Sequence, residues 1–322
     1  MKKIIGLDIS EKAQFMTVLG IIVLLLLMSC TNRSSCITYM LPPEYLNNGN
    51  LAYFGFNNHN KLSEFLPKHI RYINQYNIIG SGQFSVNQFK NAIVSKVDII
   101  DVDLRSEYHG FNGLNPVSFI SLPYNDSNTN RFQEEIIVQE QYLFNSILPT
   151  YKQLSIYINN LKVKPTKNDP TACITIATRT EDDMMKSLNI DYHRITVLDH
   201  REPSNDNLDK MVALFDQKLK LSPSRWVYVH CNGGNGRTTT AIAELIMLKQ
   251  QEADKLQPFD DLISYVESVN NGYKLVPNCN PRDKNHRCQW KWHRYNTLKI
   301  FYNFVRTRAN NQTFSNWYDK NV

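Results

Sequence analysis

The fold is decided by residues 226–251, which read WVYVHCNGGNGRTTTAIAELIMLKQQ. Trp226 to His230 alternates aromatic and β-branched side chains, which predicts a short buried strand. Thr239 to Gln251 is mostly apolar and predicts a helix. The loop between them contains three glycines and two asparagines, residues that tolerate left-handed backbone conformations. A strand–loop–helix passage of this kind presents the free N–H groups of a helix N-terminus to an anion.

The spacing Cys-x5-Arg, typical of phosphate-binding loops in cysteine-dependent phosphatases, occurs three times: at 173–179 (CITIATR), 231–237 (CNGGNGR) and 288–294 (CQWKWHR). A phosphate cradle needs successive backbone N–H groups that point inward, and this geometry requires positive φ angles. The first match is β-branched and predicts a strand, and the third is aromatic and lacks glycine. Only the second match therefore predicts a phosphate-binding loop.

We expect Cys231 to act as a thiolate nucleophile, because the helix dipole, the loop amides and Arg237 all favour the anion. Arg237 can clamp two phosphoryl oxygens with its planar guanidinium. Thr238 could donate a hydrogen bond to the sulfur, and His230 is expected to stabilise the loop. The residues expected to surround the phosphate in the loop itself are Asn232, Gly233, Gly234, Asn235 and Gly236.

Dephosphorylation also needs an acid that protonates the departing oxygen. The best candidate is Asp199 in LDHREP (198–203), where a strand ends. The carboxyl ends of parallel strands meet at one edge of a sheet, so Asp199 and Cys231 can lie close together. The alternative is a surface or helix-capping aspartate.

The rest of the chain predicts alternating strands and helices, hence an α/β domain with a largely parallel sheet. Strands are predicted at 97–104, 171–178 and 192–198. Helices are predicted at 130–161 (broken at Pro149), at 206–220 with Ser204 as N-cap, and at 294–305.

The N-terminus, residues 1–30, reads as a signal segment of the lipoprotein type, with Cys30 as the lipidated residue. Its apolar run, Phe15 to Cys30, is short for a membrane span, although an uncleaved anchor is the alternative. Residues 31–61 predict a linker and irregular chain. We therefore expect export to a bacterial cell envelope, or secretion or delivery into a host, with membrane contact only through this segment.

The charge of the chain limits the classes of binding partner that we expect. The net charge is +6, from 36 Lys and Arg against 30 Asp and Glu, without a basic run, so nucleic-acid binding is not expected.

Two of the six cysteines already have an expected role: Cys30 as the lipidated residue and Cys231 as the nucleophile. The remaining four allow disulfides, with Cys279–Cys288 favoured by proximity over buried thiols. Cys279, His286 and Cys288 lack a fourth zinc ligand, so no metal or other cofactor is expected.

HCNGGNGRTTT resembles the signature of the protein-tyrosine-phosphatase-like (PTP-like) inositol polyphosphatases, the cysteine phytases of bacteria. Motifs similar to others of that family occur in the same order: LPKHIR (66–71), GSGQFS (80–85), DVDLRSEYHGFNG (101–113), RITVLDHREPSNDNLD (194–209) and FYNFVR (301–306). The resemblance covers residues 62–306, and residues 307–322 are expected to form a tail. It implies a phosphatase α/β core with helices on both faces of the sheet and a small β-rich subdomain.

The resemblance also implies roles for individual residues. Cys231 would be the nucleophile, Arg237 the phosphate clamp and Asp199 the general acid, with His200 contacting substrate. Arg71 matches a family arginine near the substrate, and Lys291 is the nearest candidate for a substrate-binding lysine, with an ordinary exposed lysine as the alternative. Asp103 and Arg105 match positions that line or brace the pocket, with an internal ion pair as the alternative. Glu202 stands where the family has an apolar residue.

The predicted function is a metal-independent phosphomonoesterase that acts on inositol hexakisphosphate and lower inositol polyphosphates through a cysteinyl-phosphate. Two alternatives are a phosphotyrosine or phosphoinositide phosphatase with the same site, and a catalytically inactive phosphate-binding lipoprotein.

Overall fold

The computed structural model describes residues 52–56, 65–121, 124–150, 153–158, 172–175, 177–270, 272–282 and 284–322. The predicted signal segment, with Cys30, lies outside the described residues. Within the described residues, no helix combines the length and apolar character needed to cross a bilayer.

The described strands and α-helices alternate along most of the chain. The strands are β1 (Ala52–Phe56), β2 (Arg71–Ile73), β3 (Ile78–Ser81), β4 (Ile99–Arg105), β5 (His109–Asn112), β6 (Asn115–Ser121), β7 (Gln153–Ile158), β8 (Ala172–Thr175), β9 (Thr178–Thr180), β10 (Asp191–Val197) and β11 (Trp226–His230). The α-helices are α1 (Val86–Ala92), α2 (Gln133–Tyr142), α3 (Glu181–Ser187), α4 (Asn205–Leu214), α5 (Gly236–Glu252), α6 (Phe259–Ser268), α7 (His286–Thr307) and α8 (Phe314–Asn321).

Strand β11 is the centre of a five-stranded sheet with the order β10-β4-β11-β3-β2. The first four of these strands are parallel, and β2 runs antiparallel to β3 at the edge. Val227 and Val229 belong to the apolar core formed with α4, α5 and α7, whereas Tyr228 packs with α1 and α3. Helices on both faces bury β11 from Val227 to His230, which explains its largely apolar sequence. The predicted α/β core is confirmed.

A second, six-stranded sheet has the order β8-β7-β1-β6-β5-β9 and is mainly antiparallel. It supplies the β-rich part that the resemblance implied. Strand β5 connects the sheets, because it follows β4 of the parallel sheet after three residues, 106–108. The β4–β5 connection thereby reaches the carboxyl edge of the parallel sheet.

Several sequence predictions differ from the structure at element boundaries. Residues 52–56, predicted as linker, form β1 and pair with β6. The predicted tail contains α8, whose Phe314 and Trp317 enter the core and whose Ser315 N–H donates to Asp209 over 3.0 Å. The helix predicted at 130–161 ends by 150 and is followed by β7, and the strand predicted at 171–178 is split into β8 and β9. Contacts with residues far away in the chain determine the structure of these segments, and a local sequence pattern does not contain this information.

Two predictions close to the site are confirmed. Ser204 caps α4, because its hydroxyl accepts the Asn207 N–H over 3.2 Å. Cys279 and Cys288 form a disulfide that joins the segment before α7 to the first turn of that helix. Of the three cysteines whose side chains the structure describes, Cys231, Cys279 and Cys288, only Cys231 is a free thiol.

One charged side chain in the core has no compensating partner. Glu244 lies on α5 and is 2% exposed, and its Oε1 has no hydrogen-bond partner. Burial raises the pKa of Glu244 from 4.5 to about 8. The folded protein therefore binds a proton at Glu244 more tightly than the unfolded chain does.

Glu244→Gln should remove a pH dependence of stability. Because the folded pKa lies above the unfolded pKa, wild-type stability should fall by about 1.4 kcal/mol per pH unit between about pH 4.5 and 8 from this group. Thermal unfolding at pH 5 and pH 8 should show the variant gaining on wild type at the higher pH. Glu252→Gln is the control, since Glu252 ends the same helix and pairs with Lys220 at the surface. Equal pH slopes for wild type and Glu244→Gln would contradict the assignment.

Candidate active site

The loop Cys231–Asn235 connects the end of β11 to the first turn of α5. Strands β3 and β4 flank β11 in parallel, so their carboxyl ends and the segments that follow them surround the loop. This edge of a parallel sheet is where ligands bind in open α/β folds. Cys231 is 3% exposed, and its Sγ accepts the Gly234 N–H over 3.3 Å.

The carbonyl groups of the loop are bound from outside it. The Gln83 N–H donates to Asn232 O over 3.1 Å, His69 Nδ1 lies 2.7 Å from Gly233 O, and Arg71 Nη1 donates to Gly234 O over 2.8 Å. Since these carbonyls point outward, the N–H groups of the loop are left to face its interior. The loop therefore has the arrangement expected of an anion cradle.

Arg71 is placed behind the loop and not at its mouth. It is 4% exposed, and its Nη2 donates to Thr239 Oγ1 over 3.0 Å in addition to the bond to Gly234 O. Burial lowers its pKa to about 10, and the nearby Cys231 opposes that shift. The expected substrate contact is thus replaced by a bracing contact, because both ends of the guanidinium are used by the loop and α5.

Arg237, on the first turn of α5, is held by a bidentate ion pair with Glu107. Its Nη1 donates to Glu107 Oε2 over 2.7 Å and its Nη2 to Glu107 Oε1 over 3.0 Å. Nη1 also donates to Val197 O over 3.0 Å. Burial alone would lower the pKa of Arg237, but Asp199 and Glu107 hold it well above its ordinary value. The buried Nε has no hydrogen-bond partner among the described residues.

Asp199 reaches the site from the turn after β10. Its Oδ1 lies 3.0 Å from Arg237 Nη2 and accepts the His200 N–H over 3.0 Å. The structure therefore brings together the predicted nucleophile loop, clamp and acid. His200 is the next residue, and its ring is partly exposed. Burial lowers the pKa of His200. Asp199 opposes this shift, whereas three arginines lower the pKa further: Arg237, Arg287 and Arg294.

Asp103 and Arg105 form an internal network and do not line the pocket, since both are fully buried. Arg105 Nε donates to Glu107 over 2.9 Å and its Nη2 to Ser118 Oγ over 2.8 Å. Asp103 Oδ1 accepts the Arg105 N–H over 2.9 Å, and its Oδ2 accepts the Tyr192 hydroxyl over 2.9 Å. Of the two positions that the resemblance implied, lining or bracing the pocket, the structure supports bracing, because Arg105 holds Glu107.

His230 lies beneath the loop, and its side chain is fully buried. Nε2 lies 2.9 Å from Glu181 Oε1 and 3.5 Å from Asp101 Oδ1. Burial alone would lower the pKa of His230, but these two carboxylates raise it to about 10. The positive charge of the protonated His230 ring is thus balanced by carboxylates within the core. His230 is the last residue before Cys231.

Two buried triads in the described part of the chain have the residue types of a metal site: Asp101, Glu181 and His230, and Asp103, His109 and Glu181. Burial and Arg105 lower the pKa of His109, but Asp103 and Glu140 raise it above its ordinary value. The Arg194 Nε also lies 3.4 Å from Asp103. Protonated imidazoles and Arg194 already match these carboxylates, so we interpret the triads as ion pairs.

The structure places two further predicted site residues, Thr238 and Lys291, on helices α5 and α7. Thr238 is fully buried, and its hydroxyl donates to Ser81 O over 3.3 Å, because the hydroxyl faces the end of β3. Lys291 lies on α7 and is half-buried. Its neighbours Trp290 and Arg294 contact the segment that contains Asp199, as shown by the stacking of Trp290 on His200.

Sequence reasoning missed Glu107, Glu181, Trp290 and Arg294. Glu107 stood inside the quoted motif DVDLRSEYHGFNG, between Arg105 and His109, where an acid in a buried segment was the available signal. The other three gave no local signal, because their partners lie far away in the chain: Glu181 meets His230, and Arg294 meets His200.

Gly234 and Gly233 provide a matched test of the loop. Gly234 has φ +70°, and a Cβ there would lie 2.3 Å from Gly82 N, whereas a Cβ at Gly233 meets nothing within 4 Å. Gly234→Ala should lower the free energy of unfolding by about 2 kcal/mol or more, and Gly233→Ala by much less. Chemical denaturation of both variants checks this, and equal destabilisation would contradict the loop geometry.

Known proteins share parts of this sequence. Residues 126–249, which include both Asp199 and the Cys231 loop, match the sequence model of the PTP-like phytases, described as inositol hexakisphosphate. The curated effector protein hopD2 of Pseudomonas syringae pv. tomato is 30% identical over 168 residues, which cover 51% of this chain and 35% of that protein. The chain thus spans about a third of the length of this relative.

Two solved structures share the fold. The PTP-like myo-inositol phosphatase from Mitsuokella multacida, in complex with myo-inositol-(1,3,4,5)-tetrakisphosphate, has a TM-score of 0.73 at 23% identity, covering 88% of this chain and 49% of that one. A PTP-like phytase from Bdellovibrio bacteriovorus has a TM-score of 0.66 at 24% identity, covering 87% and 98%. The resemblance predicted from the sequence is therefore confirmed: the chain has the fold of the PTP-like phytases, and its residues 126–249 match that family.

Proposed function

We propose that this protein is a cysteine-dependent phosphomonoesterase that removes phosphate from inositol polyphosphates. The observation that carries the proposal is the unpaired Arg237 Nε beside a loop in which the carbonyls of Asn232, Gly233 and Gly234 are bound from outside. A phosphoryl group is the ligand that such a donor set accepts, since it offers several oxygens with delocalised charge.

In the first step, the Cys231 thiolate attacks phosphorus in line with the scissile P–O bond. The S–P bond forms as the P–O bond breaks, and Asp199 gives its proton to the departing inositol oxygen. The loop amides and Arg237 hold the three remaining oxygens, so positioning and charge stabilisation supply most of the rate.

In the second step, water attacks the cysteinyl-phosphate. Asp199, now ionised, takes a proton from this water, the S–P bond breaks and the Cys231 thiolate is restored with release of inorganic phosphate. Both steps use the same residues and leave the protein unchanged, so no co-reactant other than water is needed.

The ion pair between Asp199 and Arg237 connects substrate binding to catalysis. Asp199 Oδ1 lies 3.0 Å from Arg237 Nη2, which is one of the donors that a phosphoryl oxygen would use. An incoming phosphoryl group therefore competes with Asp199 for this guanidinium. Displacement frees the Asp199 carboxylate, which takes up a proton from solvent and turns towards the departing oxygen, so the acid forms where and when the substrate is bound.

The surroundings of the site support a polyanionic substrate. Burial and the nearby Arg287 lower the pKa of His200, and Arg201 packs on Trp290, which stacks on His200. The Mitsuokella relative is described as a complex with an inositol tetrakisphosphate. We therefore assign inositol polyphosphates ahead of phosphotyrosine and phosphoinositides, the second class of substrate for the same site.

Export of the protein is part of the proposal. The Cys279–Cys288 disulfide supports an oxidising compartment, as does the signal-type sequence of residues 1–30. We assign the bacterial envelope, through a lipid on Cys30. Delivery to a host is the alternative, which the effector relative favours by its name.

The experiment that tests the function uses purified residues 37–322 with a metal chelator. Phosphate release from inositol hexakisphosphate and from a phosphotyrosine peptide is compared for wild type and Cys231→Ser. We expect release from the inositol substrate by wild type, and a loss of at least about 10³-fold in the variant. Preference for the peptide would keep the chemistry and change the substrate; no release by folded wild type would favour the inactive phosphate-binding lipoprotein.

Oxidation gives a second prediction, because Cys231 is a free thiol. Peroxide should inactivate the enzyme by oxidising Cys231, and dithiothreitol should restore activity lost to the sulfenate. The recovery is measured in the Cys279→Ser/Cys288→Ser protein, where the reductant cannot act on the Cys279–Cys288 disulfide. Bound inorganic phosphate should slow the inactivation, since it covers the sulfur. Activity that is indifferent to peroxide would count against a thiolate nucleophile.

A further inference from the structure

His200 has a strained backbone next to the proposed general acid. Its φ is +64°, in the left-handed region that non-glycine residues rarely occupy. Its N–H donates to Asp199 Oδ1 over 3.0 Å, so the orientation of this peptide group helps to aim the Asp199 carboxyl. Such a conformation persists only where surrounding contacts hold it.

The contacts that hold His200 come from helix α7. The indole of Trp290 stacks on the His200 ring, with centroids 5.9 Å apart and planes inclined by 15°. Arg294, one turn later on the same helix, donates from Nη1 to His200 O and from Nη2 to the Tyr273 hydroxyl over 2.7 Å. The ring and the carbonyl of His200 are thus both fixed by α7, while its N–H is used by Asp199.

Trp290 is itself held on several sides. It is 4% exposed, and Arg201 lies 4.3 Å from its ring centroid on the Asp199 side. His286 and Tyr124 contact the same ring, with centroids 6.0 and 5.1 Å away. A ring packed in this way has little rotational freedom, so it can support a strained neighbour.

The start of α7 is fastened by the disulfide. Cys288 lies on the first turn of α7 and is joined to Cys279, and Trp292 Nε1 donates to Cys279 O over 2.8 Å. The disulfide therefore restrains the helical turn that carries Trp290. Reduction of the bond would leave the first turn of α7 held by noncovalent contacts.

We propose that Trp290 and Arg294 are positioning residues for the general acid, which act through His200 and are kept in place by the Cys279–Cys288 disulfide. This inference rests on the proposed phosphomonoesterase function. It assigns α7 a part in one chemical event, the protonation of the departing oxygen, and no part in the attack by Cys231.

The test compares two substrates that differ in their need for an acid. Inositol hexakisphosphate releases an alkoxide, which must be protonated, whereas p-nitrophenyl phosphate releases a stabilised phenolate that needs little help. Asp199→Asn calibrates the assay, and we expect it to lower kcat for the inositol substrate by about 10²–10⁴-fold and to affect the nitrophenyl substrate far less.

Like Asp199→Asn, the variants Trp290→Leu and Arg294→Gln should lower kcat selectively for the inositol substrate, but by a smaller factor. We expect kcat for the inositol substrate to fall about tenfold or more, with less than about a twofold change for p-nitrophenyl phosphate. Trp290→Phe, which keeps an aromatic ring for stacking, should recover most of the loss. The double variant Cys279→Ser/Cys288→Ser should show the same selectivity, and it avoids the action of reductants on Cys231.

Phe301→Leu is the control, because Phe301 lies three turns farther along α7 in the core with Phe304 and Phe314. It should leave the ratio of the two kcat values unchanged. Equal losses on both substrates in Trp290→Leu and Arg294→Gln, with Asp199→Asn selective, would overturn this inference alone. If wild type released phosphate from neither substrate, the proposed function would fail first.

Discussion

Burying the Arg237 guanidinium under the loop would cost several kcal/mol without a paired anion, and Glu107 removes this cost with two hydrogen bonds. The pair fixes the plane of the guanidinium and leaves Nε unpaired. Glu107 is in turn held by Arg105, whose Nη2 reaches Ser118 in β6. The orientation of the phosphate clamp therefore depends on side chains from both sheets.

Strand register explains how these groups meet. Val197 of β10 pairs with Arg105 of β4, and His230 of β11 pairs with Asp103 of β4. The segments that follow these three strands therefore leave the sheet side by side: one carries Glu107, one Asp199 and one Cys231. Each of these three groups comes from a different strand end, and Arg237 contacts Glu107 and Asp199 directly. The parallel sheet thus determines which residues can share the site.

Prediction from sequence succeeded where the signal is local. Strand β11 was expected at 226–230 and occurs there, and the Ser204 cap needs only its own turn. The residue types of the loop predicted positive φ angles, and the structure has one at Gly234 (+70°) but not at Gly233 or Gly236. Arg71 could not be placed this way, because a basic residue near a phosphate loop is compatible with contact to the substrate or to the loop; only the fold shows that Gly234 O and Thr239 use it. Residues 52–56 and α8 were misjudged because pairing with β6 and packing on α4 stabilise them.

The central claim is that Arg237, oriented by Glu107, binds the oxyanion through its free Nε–H. The direct measurement is a phosphate titration of the Cys231→Ser protein, followed through the ¹H–¹⁵N signal of the Arg237 Nε–H group. Arg237→Lys in the same background, which lacks that group, assigns the signal by its loss. The account predicts a saturable shift of this one signal as phosphate binds. Phosphate binding that is detected by calorimetry but leaves the Arg237 Nε–H signal in place would contradict it.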